Sequence, residues 1–160
     1  MPSKLIIAAS IGVIIVLAAC GSPSLAGGTP AGEACSLLTQ VQVSAALRIT
    51  VGPGRRFLPS LPQVCLWSEP VPPHIQRVQL TISNPVTFAS ERTPIPGVTK
   101  TPVSGIGDDA YYVTVPVSGT SLHVKKGSFA FSLGVGGPGI SVDQIKAMEK
   151  TLAQDVLAKL

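Results

Sequence analysis

The chain has 160 residues and a net charge of +4, with 12% charged residues and a mean hydropathy of +0.43. Its basic doublets, Arg55-Arg56 and Lys125-Lys126, do not belong to a basic stripe with aromatic residues between the charges. A nucleic-acid-binding surface needs such a stripe, so the composition argues against nucleic acid as a partner.

The first 19 residues have the layout of a secretory signal peptide. Lys4 precedes an uninterrupted apolar run at residues 5–19, which as a helix is about 22 Å long. That length falls short of the roughly 30 Å hydrocarbon core of a bilayer, and small residues follow the run. We therefore predict a cleaved signal peptide over residues 1–19, with an uncleaved anchor helix as the alternative.

The end of this segment, Leu17-Ala18-Ala19-Cys20, resembles a bacterial lipobox. The resemblance implies that Cys20 becomes the new N-terminus and carries a diacylglycerol thioether, with a further acyl chain such as palmitate on its amine. Two or three acyl chains anchor a protein stably where one does not. The segment at residues 20–34 is rich in Gly and Pro and reads as a flexible tether. We expect a lipid-anchored protein on the extracytoplasmic face of the cell membrane.

Two cysteines remain once Cys20 is lipidated. Cys35 and Cys65 form an even pair in an oxidising compartment, which favours a disulfide. Such a bridge would close a loop of about 30 residues and contribute roughly 3–4 kcal/mol. Buried free thiols are the alternative. We expect no metal site and no cofactor, because His74 and His123 show no ligand spacing.

Residues 35–160 are predicted to form one α+β domain, with helices at both ends of an antiparallel sheet. Thr39 and Gln42 have capping-box spacing, which indicates a helix from about Thr39 to Arg48. Residues 84–100 are ambiguous, with a short helix at 88–92 as the alternative to a long loop. A Pro- and Gly-rich loop is expected at residues 52–63, and alternating or apolar strands at 64–69, 75–83, 110–116, 121–127 and 129–135.

The final helix is predicted to cover one face of this sheet. Ser141 and Gln144 have the capping-box spacing again. The apolar stripe of the helix is expected to comprise Ile145, Met148, Leu152, Val156 and Leu160. Glu149 and the lysines are expected away from that stripe. The small residues Ala130, Ser132 and Gly134 lie together on the opposite sheet face, where a helix or another backbone could pack closely.

Several short motifs together resemble a family of small actinobacterial lipoproteins with a domain of unknown function. They are Cys35-Ser36-Leu37-Leu38-Thr39, Cys65-Leu66-Trp67, Gly105-Ile106-Gly107-Asp108-Asp109-Ala110-Tyr111 and the leucine-rich last helix. The resemblance covers about residues 30–160, with Arg48 in place of the glycine expected after the first helix. It implies an exported, membrane-tethered protein with a helix–sheet–helix plan, and it brings no catalytic residues.

The candidate site residues carry weak signals for chemistry. Asp108 and Asp109 are adjacent, so their side chains diverge, and they fit a turn after the glycines. Tyr111 and Tyr112 point to opposite sheet faces, so at least one is expected to reach the surface or a pocket. Residues 134–139 are glycine-rich but lack the lysine and Ser/Thr of a phosphate loop.

These observations predict a binding module rather than an enzyme. The chain has no G-x-S-x-G motif and no histidine in a recognisable catalytic motif. We expect a non-enzymatic module that contacts an envelope protein, a polymer or a lipid. The alternative is a lipid or glycolipid carrier with an apolar cavity between the sheet and the last helix.

Overall fold

The computed structural model describes residues 33–73 and 75–160. The predicted signal peptide, Cys20 and His74 lie outside the described residues. The helices in this part are α1 (Ala34–Leu37), α2 (Gln40–Leu47), α3 (Pro85–Ser90) and α4 (Val142–Leu157). The strands are β1 (Arg55–Arg56), β2 (Val64–Ser68), β3 (Arg77–Ser83), β4 (Thr99–Val103), β5 (Asp109–Val115), β6 (Gly119–Lys126) and β7 (Phe129–Gly136).

The strands form one antiparallel sheet in the order β1-β2-β3-β7-β6-β5-β4, and α4 packs across β6 and β7. The predicted α+β class is therefore confirmed. Alternation explains which residues face α4, because successive side chains of a strand point to opposite faces. The core between the sheet and α4 includes Trp67, Val78, Leu80, Leu122, Val124, Phe131, Leu133, Leu152 and Val156, all at most 1% exposed.

Capping boxes begin the two longer helices, as the sequence predicts. At α2, the Gln42 N–H donates to Thr39 Oγ1 over 3.2 Å, and the Thr39 N–H donates to Gln42 Oε1 over 2.9 Å. Ser141 and Gln144 make the same pair of bonds at the start of α4, at 3.3 and 2.9 Å. These bonds satisfy amide groups that have no acceptor within the helix, which is why each helix begins there.

A disulfide joins α1 to the sheet. Cys35 and Cys65 are bonded, with their Cα atoms 5.0 Å apart and 30 positions apart in sequence. This confirms the predicted pairing. α1 begins at Ala34, which is fully buried although it falls within the segment predicted to be a flexible tether.

The ambiguous stretch at residues 84–100 contains both a helix and the start of a strand. α3 is the short helix considered as the alternative to a loop, and Asn84 caps it by accepting from the N–H groups of Val86 and Thr87. β4 was not predicted from the sequence. It is an edge strand whose Pro102 interrupts the strand pattern, and an edge is where a strand tolerates proline. The two-residue β1 likewise lies within the predicted loop.

Glu149 lies in the core, so its predicted position away from the apolar stripe of α4 was wrong. It is fully buried between Ile145 and Leu152 on the inward face of the helix. The cause lies in the sheet, since the β6–β7 ladder ends at the Ser121–Gly134 pair. Beyond that pair the Val135 N–H donates to Glu149 Oε1 over 3.2 Å. The carboxyl therefore replaces a missing strand partner.

Candidate binding groove

The sheet face opposite α4 is half covered. α3 lies over β6 and β7 at one end of this face, where Phe88 packs on Tyr111 and Ala130 in a second small core. The close packing expected at Ala130 is therefore made by α3. The other half of the face carries polar and small side chains and no helix in the described part of the chain.

An electrostatic cluster surrounds the covered half. Arg92, just after α3, makes a two-point ion pair with Asp109, with N–O distances of 2.9 and 2.7 Å. Its guanidinium also lies 4.9 Å from the centre of the Tyr111 ring. Tyr111 is buried, and its hydroxyl donates to the Phe88 carbonyl over 3.1 Å. Lys100 on β4 donates to the carbonyls of Glu91 and Thr93. These contacts hold α3 against the sheet.

His123 joins this cluster to the open half of the face. Its ring stacks on Tyr111 with centroids 5.1 Å apart, and its side chain is 13% exposed. His123 Nδ1 lies 3.0 Å from Glu91 Oε2, and Nε2 lies 3.2 Å from Ser121 Oγ. Burial lowers the pKa of His123, although the Glu91 carboxylate opposes the shift. Neutral His123 can donate to Glu91 and accept from the Ser121 hydroxyl.

The Ser121–His123–Glu91 order is that of a serine hydrolase relay, but the backbone N–H of Ser121 itself is not free to take part in it. Ser121 sits in the middle of the sheet, paired with Val113 on β5 and with Gly134 on β7. Its backbone N–H therefore serves the ladder and is not available to a developing oxyanion. The arrangement instead fixes the Ser121 hydroxyl at the edge of the open half.

We name the open half the sheet groove. It has a volume of about 280 Å³ and is lined by Arg77, Gln79, Thr81, Ser118, Thr120, Ser121, Ser132, Gly134, Val135 and Gly136. Of these lining residues, Arg77 alone is charged. A Cβ atom at Gly134 would meet its nearest neighbour, Ser121 Cβ, only at 4.0 Å, so the space above this glycine is open. The groove thus offers hydroxyl, amide and guanidinium groups to a polar ligand.

The sheet groove continues into a more apolar recess at the end of the sheet where β6 separates from β7. This hairpin recess has a volume of about 450 Å³ and shares Arg77, Ser118, Val135 and Gly136 with the groove. Its wall includes Val115, Val117, Ile140, Val142 and Ile145. A ligand with both polar and apolar parts could occupy both spaces.

The remaining candidate residues do not line the sheet groove. Asp108 accepts from the Gly127 N–H over 2.7 Å and pairs with Lys126 at 2.8 Å, and both contacts lower its pKa. Tyr112 lies on the α4 side, where its hydroxyl donates to the Lys146 carbonyl over 2.9 Å. Tyr111 lines a separate surface recess with Arg92 and Lys100. The four candidates therefore have structural contacts, and Asp109 and Tyr111 hold α3.

Sequence reasoning missed the residues of the groove. Gln79 and Thr81 alternate with apolar residues along β3, and Ser132 and Gly134 belong to the small-residue face of β7. Alternation within a strand indicates which of its side chains share a face. It does not indicate which strands are neighbours in the sheet. Only the placement of β3 beside β7 and of β7 beside β6 brings these side chains into one surface.

No protein-family model, curated protein or solved structure matches this chain. Within residues 33–73 and 75–160, no helix has the length and apolar character needed to cross a bilayer. In the same residues, no cluster of three or more His, Cys, Asp or Glu side chains is placed to hold a metal ion.

Proposed function

We propose that this protein is a membrane-anchored extracytoplasmic lipoprotein whose domain is a non-enzymatic binding module of the cell envelope. The sheet groove is the observation that carries the binding role. The Cys35–Cys65 disulfide supports an oxidising compartment. The lipobox-like sequence before Cys20 supports the anchor. The resemblance to actinobacterial lipoproteins agrees with both.

The composition of the groove favours a polar ligand with an acidic group. Arg77 is exposed, and within the described residues no hydrogen bond or ion pair engages its guanidinium. Gln79, Thr81, Ser121 and Ser132 supply both donors and acceptors beside it. An acidic envelope polymer or an acidic protein segment would match this pattern, because arginine pairs readily with carboxylate and phosphate.

In-cell photocrosslinking tests the binding role. A photoreactive residue in place of Thr81, inside the groove, should form discrete adducts in intact cells. The same substitution at Thr101, on the exposed edge strand β4, is the matched control and should form none.

Gly134→Val provides the second half of this test. Valine is favoured in strands and glycine is not, so the variant should be at least as stable as the native protein. Its side chain would fill the groove beside Ser121 and should abolish the adducts formed at position 81. Adducts that persist unchanged in a folded Gly134→Val protein, or that form equally at position 101, would contradict the proposed site.

The hairpin recess favours a lipid or glycolipid carrier as the second candidate function. An enclosed carrier cavity would have to lie between α4 and the sheet. That layer is filled by one cluster of buried side chains. A bound lipid would instead lie in the hairpin recess. Organic extraction of the protein purified from membranes distinguishes the two candidates, because a carrier releases stoichiometric lipid that a variant such as Ile140→Asp does not retain.

A further inference from the structure

One end of the sheet lies beside the start of the described chain. β2 begins there at Val64, opposite Thr81, and β3 ends there at Ser83, opposite Ala130. The Ala34 N–H donates to the Pro62 carbonyl over 2.9 Å, and Glu33 forms an ion pair with Arg56. We call this the α1 end. The hairpin recess is at the opposite end, where Arg77 pairs with Gly136.

The loop before β2 exposes apolar and basic side chains at the α1 end. Phe57 and Leu58 are 56% and 47% exposed, and they directly follow the exposed Arg55 and Arg56. Glu33 pairs with Arg56, and Arg55 adds a second positive charge to the loop. Arginine beside exposed aromatic and aliphatic side chains is the composition of segments that lie in the headgroup region of a membrane.

The predicted anchor is attached to the chain at the same end of the domain. Glu33 is 13 positions after Cys20, and a chain of that length spans at most about 45 Å when fully extended. α4 ends nearby, since Lys159 Nζ donates to the Ser36 carbonyl over 3.1 Å. Leu160 follows and is 49% exposed. Another basic group and another exposed apolar group therefore lie near α1.

We propose that the loop of Arg55, Arg56, Phe57 and Leu58 is a membrane-contact surface that inserts its two apolar side chains at an anionic bilayer surface. This inference rests on the proposed lipid anchor at Cys20. The basic pair contacts lipid headgroups, while Phe57 and Leu58 enter the boundary with the acyl chains. The contact orients the domain so that the sheet groove and the hairpin recess open away from the bilayer.

Fluorescence quenching in vesicles tests the surface with the full lipidated chain. Phe57→Trp places a reporter in the loop, and Val71→Trp is the matched control, because Val71 is 68% exposed and lies in the β2–β3 connection at the other end of the sheet. The native Trp67 is buried and gives the same background in both. In phosphatidylglycerol-containing vesicles, brominated acyl chains should quench the added emission of Phe57→Trp and leave that of Val71→Trp unchanged. Replacing both Arg55 and Arg56 with Gln in the Phe57→Trp protein should reduce the quenching.

Flotation of the same samples separates this inference from the proposed function. Protein that floats with the vesicles but shows equal quenching at positions 57 and 71 overturns the contact surface and leaves the anchor intact. Protein that does not float overturns the anchor and the inference that rests on it. Flotation together with quenching at position 57 alone supports both.

Discussion

At the scale of single residues, Glu149 is the most unusual group in the described domain. Its carboxyl is fully buried, Oε1 accepts from the Val135 N–H, and Oε2 has no hydrogen-bond partner among the described residues. Burial raises the pKa of Glu149 to about 8, although the Val135 N–H and Lys146 oppose the shift. At neutral pH the carboxyl is therefore mostly protonated, which avoids a buried, unpaired charge.

The elevated pKa of Glu149 makes the stability of the fold depend on pH. The unfolded chain loses this proton near pH 4.5, whereas the folded chain keeps it up to about pH 8. The free energy of unfolding should thus fall as pH rises through that window, by up to about 1.4 kcal/mol per unit, and level off above it. Glu149→Gln keeps an acceptor for Val135 and removes the ionisation, so it should flatten this slope.

Denaturant unfolding from about pH 5 to about pH 8 measures the effect. Asp143→Asn, which changes an exposed carboxylate in the first turn of the same helix, is the control and should retain the slope. A Glu149→Gln protein whose stability falls with pH as steeply as that of the native protein would show that Glu149 does not cause the dependence.

At the scale of secondary-structure elements, local signals account for where the helices begin and end. The two capping boxes and Asn84 determine the starts of α2, α4 and α3. α2 ends at Arg48, whose φ of 58° is left-handed. Glycine adopts that conformation without steric cost, which explains the glycine expected there from the family resemblance.

α1 depends on its disulfide, because a helix of four residues is not stable by itself. Replacing both Cys35 and Cys65 with Ser should lower the free energy of unfolding by roughly 3 kcal/mol, since the bridge restricts a loop of this length in the unfolded chain. Thermal unfolding of the two proteins gives the difference.

Alkylation of the native protein checks the bond directly. After unfolding without reductant, neither Cys35 nor Cys65 should be modified, and both should be modified once reductant is added. Labelling of both cysteines in the unfolded protein before reduction would show that the pair is free.

At the scale of the whole molecule, the two ends of the sheet have different surfaces. The α1 end carries the start of the described chain and the proposed membrane-contact surface. The other end carries the hairpin recess, which shares Arg77 and Gly136 with the sheet groove. Strand direction produces this separation, because an antiparallel sheet places alternate connections at opposite ends.

The proposed anchor depends on one cysteine. Cys20→Ala should leave the precursor unlipidated and uncleaved at this site, because the lipobox-like sequence would lack the sulfur that accepts the diacylglycerol. Incorporation of labelled fatty acid and the mass of the product measure both changes. Continued labelling of the Cys20→Ala protein would contradict lipidation at this position, and Cys35→Ser is the control that should still be labelled.

The sequence by itself determined the features that depend on near neighbours along the chain. Capping pairs at Thr39 and Ser141 predicted two helices, alternation predicted most of the strands, and an even cysteine pair predicted the disulfide. The capping and alternation signals depend on a few neighbouring residues. The cysteine prediction depends on the residue type and on an oxidising compartment. The edge strand β4 was not predicted, because its short length and its Pro102 are typical of a loop.

Only the tertiary structure decided the strand order, and with it the groove. Gln79, Ser121 and Gly134 come from three strands and become neighbours because β7 lies between β3 and β6. Glu149 is buried because the β6–β7 ladder ends at Gly134, one residue before Val135. The spacing of apolar residues in α4 does not predict this burial. Contacts between distant segments set these features, and hydrophobic spacing specifies which face of an element is buried but not which element covers it.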